Sequence, residues 1–201
     1  MKFIRFILNY FLCVIFLIVS LPFQILIFVL LIIDLKEFPL FIQDRGLTLT
    51  NGRFRMIKFR TIKSVKADNV RDSNNFLTPV DETKITSFAN FLRSTGLDEL
   101  PQLFHVLSGK MNLVGPRPLM ISDIEIMKNQ YPDFYAARNT INLKPGITGN
   151  WQLCGDKNSG IEDLAKYDLL YLHDNSLRND LKIILITFRY VFLGIKKTSK
   201  T

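Results

Sequence analysis

The stretch FILNYFLCVIFLIVSLPFQILIFVLLII, Phe6 to Ile33, runs for 28 residues without a charge. As an α-helix it extends about 42 Å at roughly 1.5 Å per residue, against about 30 Å of bilayer hydrocarbon, so it is long enough to reach across a membrane. It is longer than the apolar core of a secretory signal, and no small-residue cleavage site stands before Asp34, so it reads as a retained membrane element.

Ser20 and Pro22 fall near its middle. Proline lacks a backbone donor and crowds the preceding turn, which predicts a bend. Two topologies follow: a kinked helix that crosses the bilayer, or a re-entrant hairpin that turns at Ser20 to Pro22 and leaves by the face it entered. Only the hairpin keeps Lys2, Arg5 and the basic residues after Ile33 on one, cytoplasmic side, and the preference of cationic flanks for that side mildly favours it.

Beyond this run the chain changes character, so its 201 residues divide into a membrane-embedded segment, 1–36, and one globular domain, 37–201. Net charge is +8. Lys2 and Arg5 are the only charges ahead of Asp34, which leaves the remainder 24 of the 26 basic residues against all 18 acidic ones. A basic domain suits anionic headgroups, phosphorylated substrates or nucleic acid, and the membrane segment tilts the choice to lipid and away from nucleic acid. Cys13 lies in the apolar run and Cys154 in a distant polar stretch, which suggests neither a disulfide framework nor a zinc cluster and fits a reducing, cytosol-facing domain.

Asn51-Gly52, with Arg45-Gly46 ahead of it, predicts a short β-hairpin over Asp44 to Gly52, with Arg53 to Ile62 as its second strand. At period two Phe54, Met56, Lys58 and Arg60 share one face of that strand, which ends in two cations. Lys66 to Lys84 is polar and aperiodic and reads as a loop. Helical spacing over Ser87 to Arg93 and Leu97 to Leu107 predicts two packed helices. Ile121 to Tyr135 and Gly160 to Tyr171 also read as helices, and Lys144 to Gly149 as a turn built on Pro145-Gly146. Leu181 to Lys197 mixes large apolar residues with Lys182, Arg189, Lys196 and Lys197, and is expected either to pack or to lie in the membrane interface. The whole is a mixed, helix-rich α/β pattern.

Asp98 and Glu99 stand just ahead of Pro101, which is tolerated in a first helical turn, so both carboxylates are expected to open a helix. Alone they read as helix caps, and Thr95 to Asp98 matches a capping box. Their company gives them further meaning. Arg93 lies one turn upstream, and Val114-Gly115-Pro116-Arg117-Pro118 presents an arginine from a loop that its prolines stiffen, which lowers the entropy lost on gripping a phosphate. A helix N-terminus, arginines and paired carboxylates suit an anion bound with a divalent cation bridging carboxylate to phosphate. There is no Walker loop and no Gly-x-Gly-x-x-Gly run, and His105 and His173 lack metal-ligand spacing.

Five blocks in order resemble the bacterial sugar transferases, also called monotopic phosphoglycosyl transferases. They are Gln43-Asp44-Arg45-Gly46; Lys58-Phe59-Arg60-Thr61; Arg93 with Leu97-Asp98-Glu99-Leu100-Pro101-Gln102-Leu103; Leu113 to Pro118; and Lys144-Pro145-Gly146-Ile147-Thr148-Gly149. The resemblance covers nearly the whole chain, and its length is similar to that of the minimal members. It implies a re-entrant membrane helix and a catalytic domain with membrane-surface helices on the cytoplasmic face of the bacterial inner membrane. It further implies that Asp98 attacks the sugar-linked phosphate of a UDP-sugar, releasing UMP and forming an aspartyl phosphosugar, which a polyprenyl (undecaprenyl) phosphate then takes up with help from Glu99. Magnesium would bind at Asp98, while Lys58, Arg60, Arg93, Arg117 and Gln152 would hold the substrate. The product would pass to downstream glycosyltransferases of glycoconjugate assembly.

The chain departs from the family at Ile62, where Met is frequent, at Phe104, where Trp is, and at Cys154-Gly155-Asp156 in place of Asn-Gly-Arg, which puts the choice of donor sugar in question. Two rivals differ in kind. One is a membrane-anchored lipid or polyanion binder in which Asp98 and Glu99 only cap a helix, although a plain anion binder gains nothing from paired acids. The other is a metal-dependent phosphatase, separated from a transferase by whether product depends on a lipid acceptor.

Overall fold

The computed structural model describes residues 2–63, 85–155 and 160–193. The loop reading of Lys66 to Lys84, the departure at Asp156 and the basic pair Lys196 and Lys197 fall outside them. What is described is a mixed, helix-rich α/β fold with small sheets and a long apolar N-terminal helix.

That helix, α1, spans Lys2–Leu35 and is continuous through Ser20 and Pro22. The Ser20 hydroxyl donates to the Leu17 carbonyl at 3.4 Å and accepts from the Gln24 amide at 3.0 Å, polar contacts beside the proline. Most of its large apolar side chains are exposed, whereas Cys13, Ile27, Leu31 and Leu35 are buried. The buried positions meet the domain near both ends of the helix. Arg5 donates to Asp180 at 2.6 Å and to the Tyr171 hydroxyl at 2.6 Å, and Asn9 accepts from the Leu113 amide at 2.8 Å. Thirty residues on, Leu31 and Leu35 pack with Phe59 and Leu92.

The predicted hairpin forms from β1 (Leu40–Gly46) and β2 (Phe54–Phe59), pairing Phe41 with Lys58 and Arg45 with Phe54. Its turn is closed by Leu47 and Thr48 amides donating to Asn51 and by Gly52 in the left-handed region. Phe54 and Met56 are buried, as the period-two reading requires, but the alternation stops there: Ile57 and Lys58 are both half-buried, Phe59 is buried with Leu31, Leu35 and Leu92, and Arg60 lies one residue past the strand.

Helix α2 (Ser87–Thr95) is N-capped by Thr86, whose hydroxyl accepts from the Ala89 amide at 3.1 Å and donates to Asp34 at the end of α1. The helix expected over Leu97 to Leu107 is instead a 3-10 helix, Leu97–Gln102, followed by α3, Leu103–Leu107. Thr95 forms no capping box: its hydroxyl turns back to the Phe91 and Leu92 carbonyls, and Gly96 makes the junction.

Two short pairings were not legible beforehand. Strand β3 (Asn112–Val114) runs parallel to β5 (Gly146–Thr148), inside what read as a plain turn, and β4 (Leu119–Met120) adds a third strand to the hairpin beside β1. The single helix expected over Ile121 to Tyr135 is two, α4 (Ile121–Gln130) and α5 (Pro132–Asn139). Pro132 drives Tyr131 out of the α region, to φ −137° and ψ 61°, and then serves as the first residue of α5. The short helix α6 (Asn150–Cys154), α7 (Gly160–His173) and α8 (Leu177–Leu193) complete the described chain. Leu119, Ile124, Met127, Trp151, Ile161 and Leu164 form a core cluster of their own, under the loop that carries Arg117.

Candidate active site

Gly96 makes the corner on which the site is built. Its φ of 76° is a left-handed conformation that side chains other than glycine's strain to adopt, and it ends α2 and starts the 3-10 helix in one residue. Arg93, in the last turn of α2, and Asp98, in the first turn of the 3-10 helix, therefore flank a tight bend, closed by the Glu99 amide donating to the Gly96 carbonyl at 3.1 Å.

Asp98 is buried, only 6% exposed, and Glu99 beside it is half-buried. Burial pushes the Asp98 carboxyl up to about 6, Glu99 adds to the rise, and Lys58, Arg93 and Arg117 oppose it. The Lys58 ammonium is held below the ordinary lysine value, first by burial and then by Arg45 and Arg93, against the pull of Asp98 and Glu99. A carboxylate perturbed by burial and ringed by named cations is the pattern of a working group.

Strand β2 delivers Lys58, whose ammonium lies 5.7 Å from the centre of the Phe41 ring across the strand pair. Arg117 comes from the Pro-Arg-Pro loop. Its guanidinium reaches Glu99 at 3.7 Å and lies 5.4 Å from the centre of the Trp151 ring, a stack that holds a flexible side chain in one place. That loop is fixed by the β3–β5 pairing, in which the Gly115 amide donates to Thr148 and the Gly146 amide to Pro116, each at 3.0 Å. A Cβ on Gly115 would stand 2.6 Å from the Lys144 carbonyl oxygen, so only glycine lets the two backbones approach this closely.

The structure thus brings Lys58, Arg93 and Arg117 to the acidic pair. Arg60 stands at the α1–β1 junction, donating to the Phe38 carbonyl at 2.9 Å, with Glu37 at 3.7 Å and, like Lys58, the Phe41 ring at 5.7 Å. Gln152 adjoins the Arg117 platform through its neighbour Trp151. Its amide nitrogen donates to Ile147 at 3.4 Å, while its Oε1 and the Trp151 Nε1 are buried with no hydrogen-bond partner among the described residues.

Two contributors escaped the sequence reading. Arg45 shares the Lys58 face of the hairpin and donates to Gln43 at 2.8 and 3.0 Å; the period-two spacing of Gln43 and Arg45 signals this once the register is known. Trp151 carried no such signal, because its contact with Arg117 joins residues far apart in the chain. Among the described residues no three His, Cys, Asp or Glu side chains converge on one point. Asp98 and Glu99 offer two hard oxygen donor groups, and that fits magnesium, which takes one or two carboxylates and fills its remaining positions with water and phosphate oxygens.

The family model for bacterial sugar transferases matches residues 1–194. The chain is 36% identical over 154 residues to the galactosyl transferase CpsE of Streptococcus agalactiae, covering 72% of this chain and 33% of CpsE. To the uncharacterized sugar transferase EpsL of Bacillus subtilis it is 35% identical over 178 residues, 87% of this chain and 82% of EpsL. To the UDP-glucose:undecaprenyl-phosphate glucose-1-phosphate transferase of Klebsiella pneumoniae it is 39% identical over 144 residues, 68% of this chain and 28% of that protein. The chain therefore spans a third or less of two of these relatives and most of the third. With residues 1–194, nearly its full length, matched by this one family, the chain belongs to the bacterial sugar transferases.

Proposed function

We propose that this protein is a phosphoglycosyl transferase that moves a sugar 1-phosphate from a UDP-sugar to a polyprenyl phosphate, undecaprenyl phosphate being the acceptor named for the Klebsiella relative. The observation that carries the reading is the buried Asp98 carboxylate, flanked by Glu99 and by Lys58, Arg93 and Arg117. A non-catalytic anion binder has no use for a carboxylate whose burial costs it stability, whereas a nucleophile does.

In the proposed reaction a carboxylate oxygen of Asp98 attacks the sugar-linked phosphorus. The new O–P bond replaces the bond to the bridging oxygen, and UMP leaves with that electron pair. A phosphate oxygen of the polyprenyl acceptor then attacks the same phosphorus and Asp98 departs as carboxylate, leaving a polyprenyl diphosphate sugar. Lys58, Arg93 and Arg117 neutralise the phosphates of both partners, Arg60 and Gln152 are proposed to extend the substrate-binding surface, and Glu99 manages proton and charge at the acceptor. Asp98, with Glu99 beside it, would hold Mg2+, which when bound neutralises phosphate charge. A covalent intermediate suits a donor dissolved in water and an acceptor confined to a membrane, because the two need not meet.

For topology, the proposal is a re-entrant α1 with the domain on the cytoplasmic face of the bacterial inner membrane. Its support is that Arg5 near one end and Leu35 at the other both fasten to the same domain, which a straight crossing would separate by about the bilayer thickness. On α8, Leu181, Leu185, Phe188 and Phe192 form an exposed apolar stripe at helical spacing, suited to lie in the headgroup region against membrane lipids.

The test is the intact mass of the purified protein after incubation with magnesium and a panel of UDP-sugars, without lipid, beside Asp98→Asn. A gain of one sugar phosphate absent from the variant supports the covalent route and identifies the donor. No gain with any donor, and no UMP released on adding polyprenyl phosphate, returns the protein to a binding role.

A further inference from the structure

Arg138 lies on α5, is 4% exposed, and spends all three of its guanidinium nitrogens on different segments of the chain. Its Nε donates to the Leu47 carbonyl, just past β1, at 2.7 Å. One terminal nitrogen pairs with the buried carboxylate of Asp168 on α7, and the other donates to the backbone carbonyl of Arg117.

The last contact stands out for where it falls. Pro116 and Pro118 fix their own φ angles, so the main soft torsions left in that loop are those at Arg117 itself. The orientation of the Arg117 carbonyl is set by its ψ, and a buried, charged donor on that oxygen holds ψ in one well. With ψ held, the side chain leaves the backbone in the direction that lays it over Trp151 and beside Glu99. Asp168 in turn keeps the Arg138 fork in plane, since a planar guanidinium with one nitrogen anchored presents its other donors in fixed directions.

We infer that Arg138, oriented by Asp168, is a positioning residue that acts on substrate phosphate through Arg117. This rests on the reading of Arg117 as a phosphate ligand. A buried ion pair is by itself weak evidence for stability, so a purely structural staple is the competing account. The two accounts differ in what they predict for binding.

The experiment measures the Kd for UDP with magnesium, a probe that carries the diphosphate of every UDP-sugar, on the full chain in detergent. It compares wild type, Arg117→Ala, Arg138→Met, the double variant and Leu164→Ala, a local destabilising control in the core one turn before Asp168. Thermal unfolding is read alongside. The expected result is that Arg138→Met and Arg117→Ala each weaken UDP binding tenfold or more and that the double variant is no weaker than either. Arg138→Met and Leu164→Ala both unfold at lower temperature, but Leu164→Ala keeps its Kd within twofold of wild type. Should Arg138→Met not fold, Arg138→Lys carries the same comparison, keeping the charge opposite Asp168 without the three-way fork.

The inference alone is overturned if Arg117→Ala loses binding while Arg138→Met retains it. It is likewise overturned if the two losses multiply in the double variant, or if Leu164→Ala weakens binding as much as Arg138→Met. Unchanged UDP binding in Arg117→Ala overturns the phosphate-ligand reading itself, and this inference with it.

Discussion

The Arg117 guanidinium stands 3.7 Å from the Glu99 carboxylate, joining the Pro-Arg-Pro loop to the 3-10 helix that carries Asp98. The pair is about a quarter exposed on each side, so its contribution to stability is small, on the order of 1 kcal/mol or less. In the proposed reaction a phosphate displaces Glu99 and takes the arginine. Arg117→Ala is therefore expected to unfold within a few degrees of wild type while losing about a hundredfold or more in transfer rate. Parallel measurements of thermal unfolding and UMP release check both halves.

The raised pKa of Asp98 makes a pH prediction. Its folded value of about 6 exceeds the ordinary 3.8, so the folded state holds this proton more tightly than the unfolded chain does. The ionised carboxylate therefore costs stability, a cost that sets in between those two values and is complete above about pH 6. Asp98→Asn removes it and should stabilise the protein by up to about 3 kcal/mol near pH 8, a difference that fades as pH falls towards 4. Denaturant titrations of both proteins at several pH values measure this directly. A nucleophilic Asp98 must also be ionised, so transfer should decline as pH drops through about 6.

Gly96 and Gly115 should fail differently as alanines. A Cβ on Gly96 meets no atom within 4 Å, so the cost of Gly96→Ala is the left-handed backbone alone, about 1–2 kcal/mol. Gly115→Ala would force the loop off the Lys144 to Gly146 backbone, and a strain of about 2 kcal/mol or more is expected, with loss of activity because Arg117 moves. Equilibrium unfolding of the two variants, with UMP release measured on each, separates the cases.

Topology is open to labelling. In a background with Cys13 and Cys154 replaced by alanine, single cysteines at Lys2 and Lys36 should both react with an impermeant maleimide in inverted vesicles and neither in intact cells. Opposite accessibility of the two positions would show that α1 crosses the membrane.

Sequence alone determined the long apolar helix, the hairpin with Lys58 on its inner face, and the nearness of Arg93 to Asp98, because each rests on spacing within one element or across one glycine. It also carried the family blocks, and so the expected chemistry. Tertiary structure decided the rest. Parallel pairing of Asn112 to Val114 with Gly146 to Thr148 involves segments too short for any periodicity, and Arg60 lies one residue past its strand, where it donates to the Phe38 carbonyl. Trp151 under Arg117 and Arg138 behind it are contacts across 34 and 21 residues of chain. Local propensity cannot encode such meetings; they exist only once the separate helices have closed on a common core.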